Sequence, residues 1–269
     1  MSHGIDPHSF HRLAVLVREL AGIDLKPGKE ALVSGRLQKR LRDLGLDGWP
    51  AYVERIEHDP DGTETALLLD AISTNVTSFF RESDHFDLLR VEAAHWAQER
   101  RNRIRVWCAA SSTGEEPWCM GMTVLDALGS ASADMRLLAT DISRRVLDHA
   151  RKATYAESAL RPVSVELKKR WFTDAGGGAM RVVDRLRERV TFNRLNLAHP
   201  PYPMSGPLDA IFLRNVMIYF EDPVRRRILG EVRRLLRPGG ILCVGSAESL
   251  GDLQGDFISL RPAAYRMPG

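Results

Sequence analysis

The chain has 269 residues, of which 44% are hydrophobic and 27% charged, a composition typical of a globular protein with one large domain and a smaller one. No apolar run approaches the roughly 20 residues of a membrane-spanning helix, and the first residues lack the basic and apolar regions of a signal peptide. A net charge of +3 does not indicate nucleic-acid binding, and three isolated cysteines predict neither disulfides nor a metal site, so a cytoplasmic location is expected.

The first part of the chain, from residue 6 to about 73, has helical periodicity throughout. Apolar residues recur at helical spacing, for example at Leu13, Val17 and Leu20, and no strand pattern interrupts them. This part therefore predicts a small helical bundle, with helices over 6–21, 28–44, 49–58 and 62–73.

The second part, after about residue 83, alternates between strands and helices. Helices are expected over 84–100, 115–128, 143–152 and 223–236, and strands over 104–110, 136–141, 190–197, 209–215 and 239–246. A last strand, parallel or antiparallel, is expected near 257–267. Such alternation indicates a largely parallel sheet with crossover helices, an α/β fold. Residues 171–193 contain a GGG turn and leave no room for a crossover helix, which predicts a small inserted β-subdomain.

The turn after the first strand, SSTGEEPW (111–118), is acidic. Turns at this place in nucleotide-binding folds usually hold phosphate through glycines and a helix N-terminus. Here Glu115 and Glu116 would repel a phosphate by several kcal/mol, on the order expected at intermediate dielectric. The alternative is that both carboxylates only favour the N-terminus of the next helix.

Further polar residues follow the other strands. Asp141 ends the second strand, where an acidic side chain accepts ribose hydroxyls; Asn196 and Asn215 end the third and fourth. A ribose without a phosphate and with a cationic group fits this pattern. The residues therefore favour S-adenosylmethionine, which carries a sulfonium and a protonated amine.

Two more segments offer polar groups for a ligand. In STNVTSFFRE (73–82), Asn75, Thr77 and Arg81 provide amide, hydroxyl and guanidinium groups, although Asn and Thr also cap helices. In DAIFLRNVMIYF (209–220), the pair Arg214–Asn215 closes an apolar strand and needs partners if buried. Tyr219 alone would more often be a core aromatic residue.

The chain resembles the bacterial chemotaxis receptor methyltransferases (CheR type). The resemblance rests on TNVTSFFRE, RVWCAASSTGEEPW, ATDIS, FNRLNL, DAIFLRNVMIYF and LLRPGGILCVGSAESL, which occur in this order along nearly the whole chain. It implies a helical receptor-contacting domain (1–74) and a Rossmann-like S-adenosylmethionine-dependent methyltransferase domain (75–269) with the β-subdomain inserted at about 171–193. The implied reaction gives glutamate methyl esters on the cytoplasmic helical domain of chemoreceptors, with S-adenosylhomocysteine as the other product.

The resemblance also assigns site residues. Those implied to bind the cofactor are Asn75, Thr77, Arg81, Glu116, Asp141, Asn196, Leu197, Arg214 and Asn215. Arg81 and Tyr219 are implied to act on the substrate carboxylate. Because the loop FTDAGGGAMRVV is shorter than in relatives that require a peptide tethered to the receptor, the chain resembles the pentapeptide-independent type.

The helix predicted over 28–44 is strongly basic. Lys29, Arg36, Lys39 and Arg40 are expected on one face, and we take Arg36, Lys39 and Arg40 as candidates for contacting an acidic receptor helix. The alternative is an ordinary solvated face. The protein is expected to be a monomer that holds no metal.

Two other functions remain open at this point. One is a methyltransferase for nucleic acid or a small molecule, although the Asn-Pro-Pro-Tyr signature of adenine methylation is absent from the fourth strand, which ends in RNVM. The other is a non-catalytic S-adenosylmethionine-binding scaffold or sensor. Transfer of labelled methyl to a receptor fragment distinguishes both from the main hypothesis.

Overall fold

A computed structural model of the protein describes residues 4–129 and 134–269. The N-terminal part is helical, as predicted, with helices α1 (Pro7–Ala21), α2 (Glu30–Asp43), α3 (Trp49–Glu57) and α4 (Thr63–Ile72). Asp6 caps α1, because its side chain accepts a 2.9 Å hydrogen bond from the backbone of Ser9. The apolar stripes of these helices meet in a core of their own around Leu13, Leu37 and Tyr52.

The α/β part follows the predicted alternation. Its elements are α5 (Asp84–Gln98), β1 (Arg103–Cys108), α6 (Glu115–Leu128), β2 (Asp134–Asp141), α7 (Arg144–Lys152), β3 (Thr154–Ala156), α8 (Val165–Trp171), β4 (Phe172–Gly176), β5 (Ala179–Val182), α9 (Asp184–Arg187), β6 (Val190–Arg194), β7 (Leu208–Leu213), α10 (Asp222–Leu235), β8 (Leu236–Val244), β9 (Ile258–Arg261) and β10 (Ala264–Arg266).

The main sheet has the order β6-β2-β1-β7-β8-β10-β9. The strands from β6 to β8 are parallel, and β10 runs antiparallel to β8. The predicted last strand is therefore a hairpin, β9–β10. Since the chain moves outward from β1 through β2 to β6 and then returns to β7, the strand order reverses between β1 and β7. Ligands of doubly wound sheets bind at this switch point, at the carboxyl ends of the strands.

A second, three-stranded antiparallel sheet has the order β3-β5-β4. The predicted inserted β-subdomain is present, but its expected bounds of about 171–193 need correction. It begins earlier, because β3 at Thr154–Ala156 pairs with β5. It also ends earlier, because β6 at Val190–Arg194 pairs with β2 in the main sheet. The expected GGG turn is the tip of the β4–β5 hairpin.

Within residues 4–129 and 134–269, no helix combines the length and the apolar character that crossing a bilayer requires.

Candidate active site

A cavity lies at the switch point of the main sheet. Residues that follow β1, β2, β6 and β7 form part of its wall, and residues of the helical domain and of the segment after α4 form the rest. Every side chain that the sequence analysis assigned to cofactor or substrate lines it: Asn75, Thr77, Arg81, Glu116, Asp141, Asn196, Leu197, Arg214, Asn215 and Tyr219.

The helical domain contributes a wall that the sequence did not predict. Ile23, Asp24, Leu25 and Lys29, from the connection between α1 and α2, line the cavity. The backbone N–H of Asp24 donates a 2.9 Å hydrogen bond to the carbonyl oxygen of Tyr219. This connection looks like an ordinary turn in the sequence, and no motif signals its tertiary contact.

Asp141 presents a buried carboxylate at the end of β2. Its Oδ2 accepts the backbone N–H of Ser112 at 2.9 Å, and its Oδ1 accepts that of Ser143 at 3.0 Å. Burial raises the pKa of Asp141, although the hydrogen bonds from Ser143 and Ser112 oppose this rise. Each oxygen retains a second lone pair, so the side chain can accept two neighbouring hydroxyls.

The acidic turn uses its two carboxylates differently. Gly114, at φ 101°, starts α6 in a backbone conformation that favours glycine. Glu115 accepts the hydroxyl of Thr113 at 2.6 Å and does not line the cavity. Glu116 lines the cavity, and its carboxylate accepts the Cys108 thiol at 3.1 Å. Burial raises the pKa of Glu116, while attraction to Arg214 opposes the rise.

Arg214 is the central cation of the site, and its side chain is fully buried. Its Nη1 lies 2.7 Å from Oε2 of Glu116, and its Nη2 lies 3.1 Å from Oε2 of Glu82. Burial alone lowers the pKa of a guanidinium, but the attraction of Glu116 and Glu82 outweighs burial and raises the pKa of Arg214. Arg214 also donates to the carbonyl oxygen of Arg81, so it joins the end of β7 to the segment before α5.

The cavity as a whole is less acidic than the turn SSTGEEPW by itself. Among the residues that the structure describes, three acids and three bases line the cavity: Asp24, Glu116 and Asp141, against Lys29, Arg81 and Arg214. The sequence showed the two carboxylates of the turn but not that Glu116 pairs with a buried arginine, which lies about a hundred residues later in the chain. The formal charges of these six side chains cancel. Of the three acids, Asp24 and Glu116 take part in ion pairs, whereas Asp141 forms none with the described residues.

The side-chain amides of Asn75 and Asn196 differ in their hydrogen bonding. Nδ2 of Asn75 is buried without a hydrogen-bond partner, which suits a polar ligand. Asn196, in contrast, donates from Nδ2 to the carbonyl oxygen of Leu20 at 2.7 Å and thereby ties the loop after β6 to α1. Leu197 is buried in the apolar cluster on that side of the sheet, and Thr77 is half-buried.

Arg81 and Tyr219, the two residues assigned to the substrate, are partly exposed. The side chain of Arg81 is 39% exposed, and its Nη1 donates to the carbonyl oxygen of Val76 at 3.0 Å. Tyr219 is half-buried and ends the short 3-10 turn Met217–Tyr219. Both side chains are therefore reachable from solvent and adjoin the cavity.

Two of the basic residues of α2 have partners within the protein. Arg36 donates to the carbonyl oxygens of Ile72 and Ser73 at 2.6 and 3.2 Å, so it caps the end of α4. Arg40 is paired with Glu64, whose side chain is only 2% exposed. Arg36 and Arg40 therefore both fasten α2 to α4, although each remains partly exposed. Their contact with a receptor stays a prediction. Lys39 is exposed.

In the part of the chain that the structure describes, no group of three or more His, Cys, Asp or Glu side chains is arranged to hold a metal ion.

Comparison with known proteins identifies the family. Residues 8–73 match the all-alpha domain of the CheR methyltransferases, and residues 75–265 match their SAM-binding domain. A chemotaxis protein methyltransferase of Salmonella typhimurium is 40% identical over 95% of this chain and 88% of its own length. The chemotaxis protein methyltransferase of Escherichia coli K12 is 39% identical over 97% and 91%, and chemotaxis protein methyltransferase 2 of Pseudomonas aeruginosa is 40% identical over 89% and 86%. The chain thus belongs to the CheR methyltransferase family and is an S-adenosylmethionine-dependent methyltransferase.

Proposed function

We propose that the protein transfers a methyl group from S-adenosylmethionine to glutamate side chains of chemoreceptors, giving glutamate methyl esters and S-adenosylhomocysteine. The observation that carries this proposal is the arrangement of the cavity: Arg81 and Tyr219, both partly exposed, line the same cavity as the buried Asp141 and the half-buried Asn75. The names of the relatives, all chemotaxis protein methyltransferases, support it.

The residues of the cavity fit the cofactor. Asp141 offers two oxygens for a ribose diol, and the unpartnered Nδ2 of Asn75 offers a donor for a polar group of the ligand. Glu116 provides a carboxylate for a cationic group of the ligand, and its ion pair with Arg214 partly offsets the negative charge of that carboxylate. When bound, the cofactor supplies an electrophilic methyl group on a positively charged sulfur.

The substrate needs no general base. A glutamate side chain has an ordinary pKa of about 4.3, so its carboxylate is already ionised at neutral pH. The negative charge of this carboxylate is lost as the ester forms, so a tight grip on it would stabilise the ground state as well as the transition state. We therefore propose that Arg81 and Tyr219 orient the carboxylate oxygen toward the methyl group and exclude water.

The test is transfer of a labelled methyl group to a purified chemoreceptor cytoplasmic fragment. We expect incorporation that is released by mild base, as for an ester, and lost when the target glutamates are replaced by alanine. Label on nucleic acid, or tight cofactor binding without any transfer, would instead support the alternative functions of a nucleic-acid methyltransferase or a non-catalytic sensor.

We also propose that the protein is of the pentapeptide-independent type. The β4–β5 hairpin turns over Gly177 and Gly178 with little additional loop, which supports this assignment because the peptide-dependent type has a longer loop there. Receptor fragments with and without a tethered C-terminal peptide should be methylated equally. A large loss of methylation when the peptide is removed would contradict the assignment.

For receptor docking we propose the basic face of α2 with Arg36, Lys39 and Arg40, of which Lys39 is the most exposed. Arg36 and Arg40 also hold α2 against α4. We further propose that the protein acts as a monomer in the cytoplasm, which sedimentation and cell fractionation test directly.

A further inference from the structure

Glu248, in the loop after β8, has a role that the motifs did not assign. It is only 9% exposed, and its carboxylate accepts three backbone N–H groups. Oε2 accepts those of Asn215 at 2.8 Å and Gly245 at 2.6 Å, and Oε1 accepts that of Ile218 at 3.2 Å. None of the ion pairs found among the described residues includes Glu248. A buried carboxylate that binds backbone donors fixes geometry, because each bond requires a defined position of the main chain.

The segment that Glu248 holds runs from Asn215 to Tyr219. Asn215 has φ 56°, a conformation that is uncommon for a residue other than glycine. Its Nδ2 donates to Oε1 of Glu82 at 3.2 Å, so two carboxylates hold this residue, one through its side chain and one through its backbone. Strained residues of this kind persist when their surroundings fix them, and they are concentrated at functional sites.

Gly245 leaves the space that this arrangement needs. A Cβ atom at this position would lie 2.4 Å from Nδ2 of Asn215 and 2.8 Å from Oε2 of Glu248. The loops after β7 and β8 are therefore packed against each other around the Glu248 carboxylate. At the other end of the segment, Ile218 directly precedes Tyr219, so its bond to Oε1 restrains the backbone that carries the tyrosine.

We propose that Glu248 is a positioning residue for methyl transfer. By binding the backbone of Asn215 and Ile218 it sets the place of the Tyr219 side chain beside the cavity. This inference rests on the proposed function, because it uses the substrate role of Tyr219. The alternative is that Glu248 stabilises the loop without affecting the reaction.

The two oxygens of Glu248 allow its contributions to be separated. In Glu248→Gln the remaining oxygen should turn toward the two donors, Asn215 and Gly245, and leave Ile218 facing an amide NH₂. This variant keeps the cofactor side of the segment and loosens the end near Tyr219. We expect kcat for receptor methylation to fall about 10-fold to 100-fold, as for small displacements of reacting groups, with the Kd for S-adenosylhomocysteine changed less than about 2-fold.

Glu231→Gln is the matched control. Glu231 is also 9% exposed and also accepts a backbone N–H, that of Tyr202 at 2.8 Å, but it does not line the cavity or contact the Asn215–Tyr219 segment. Its replacement should lower the melting temperature without changing kcat. Should both variants lose turnover in proportion to their loss of stability, Glu248 would have a structural role alone and the proposal would be overturned.

A double-mutant cycle with Tyr219→Phe tests whether Glu248 acts through Tyr219. If Glu248 acts through Tyr219, Glu248→Gln should lower kcat by less than about 2-fold in the Tyr219→Phe background. Losses that multiply would contradict the proposal. Glu248→Asp, which keeps the charge but is shorter, is the second variant and should also release Ile218.

Amide hydrogen exchange gives a readout that does not depend on activity. In Glu248→Gln the amides of Ile218 and Tyr219 should exchange at least about 10-fold faster, whereas those of α6 should not change. Unchanged exchange at Ile218 would overturn the positioning role. A wild-type protein that methylates no receptor glutamate would overturn the proposed function, and the exchange experiment would still report on Glu248.

Discussion

Nη1 of Arg214 lies 2.7 Å from Oε2 of Glu116 in the interior of the protein, with the Arg214 side chain fully buried. The guanidinium also stands 5.5 Å from the ring centroid of Phe86 and 5.7 Å from that of Phe212. The pair links the end of β7 to the first turn of α6, the two elements that flank the switch point of the sheet. Because Arg214 offsets the negative charge of Glu116, the acidic turn alone does not determine the charge of the cavity.

Breaking this pair should destabilise the fold. Arg214→Met leaves Glu116 and Glu82 without their shared cation, and we expect the free energy of unfolding to fall by about 3–5 kcal/mol, as when one partner of a buried ion pair is removed. Glu116→Gln, which keeps an acceptor for Arg214 and leaves the pair with Glu82, should cost about half as much or less. Urea denaturation measures both. Equal costs for the two variants would contradict this account.

Asp141 and Glu115 provide a contrast between two acids near the cavity. Asp141→Asn removes the negative charge and puts an NH₂ group against the backbone N–H of Ser112 or Ser143, so the Kd for S-adenosylhomocysteine should rise about 10-fold to 100-fold, equivalent to roughly 1.4–2.8 kcal/mol. Glu115→Gln, outside the cavity, should change it less than about 2-fold. Isothermal titration calorimetry measures both. A similar loss in the two variants would show that the charge of the turn matters more than the site of Asp141.

The free energy of unfolding should depend on pH in part through the ionisation of Glu82. Burial raises the pKa of Glu82, but the hydrogen bond from Asn215 and the charge of Arg214 lower it by more, so that it falls from 4.5 to about 2. Since the folded state prefers the ionised form, this stabilisation is present above pH 4.5 and is lost as the pH falls toward 2.

Glu82→Gln should therefore lower the free energy of unfolding by about 2 kcal/mol at pH 7, a figure that allows for partial solvent screening. The difference from wild type should shrink between pH 4.5 and 2, because the Glu82 carboxyl of the unfolded wild-type chain becomes protonated there while that of the folded chain stays largely ionised. Urea denaturation at several pH values measures the difference. A difference that stays constant down to pH 2 would show that Glu82 is not charged in the way the contacts indicate.

Much of the fold was predictable because its signals are local. The turn after β1, the acidic residue ending β2 and the helical periodicity of residues 6–73 are each visible within short windows, and family motifs mark both sides of the switch point. The elements that were missed are short. β3 has three residues, and its pairing with β5 depends on a chain reversal that no local pattern encodes.

The parts of the site that sequence reasoning missed are tertiary contacts between distant segments. Ile23 and Leu25 reach the cavity because the α1–α2 connection pairs with the backbone at Tyr219 and Phe220. The partner of Arg40 is Glu64, which lies in an apolar helix where a buried carboxylate is not expected. Periodicity predicts which face of a helix a basic residue occupies, but it does not predict whether that residue forms an ion pair with a buried acid on the neighbouring helix.

Arg81 should affect the reaction more than cofactor binding. Its side chain is partly exposed and is anchored through the carbonyl oxygen of Val76. Arg81→Ala should lower kcat about 100-fold or more, while the Kd for S-adenosylhomocysteine rises less than about 3-fold, because the interaction lost is with the substrate carboxylate. Arg81→Lys, which keeps the charge but not the fork, should recover only part of kcat. Unchanged turnover in Arg81→Ala would exclude this role.

Charge reversal on α2 should separate docking from stability. Lys39→Glu alters an exposed side chain, so the free energy of unfolding should change by less than about 0.5 kcal/mol. The KM for an acidic receptor fragment should rise several-fold at low salt and less at high salt. Arg40→Glu instead places a second carboxylate against the buried Glu64 and should cost about 3–5 kcal/mol of stability. Steady-state methylation at two ionic strengths, together with urea denaturation, distinguishes the two effects. If Lys39→Glu left the KM unchanged at both salt concentrations, this part of α2 would be a solvated surface, and receptor binding would have to be sought on another face of the helical domain.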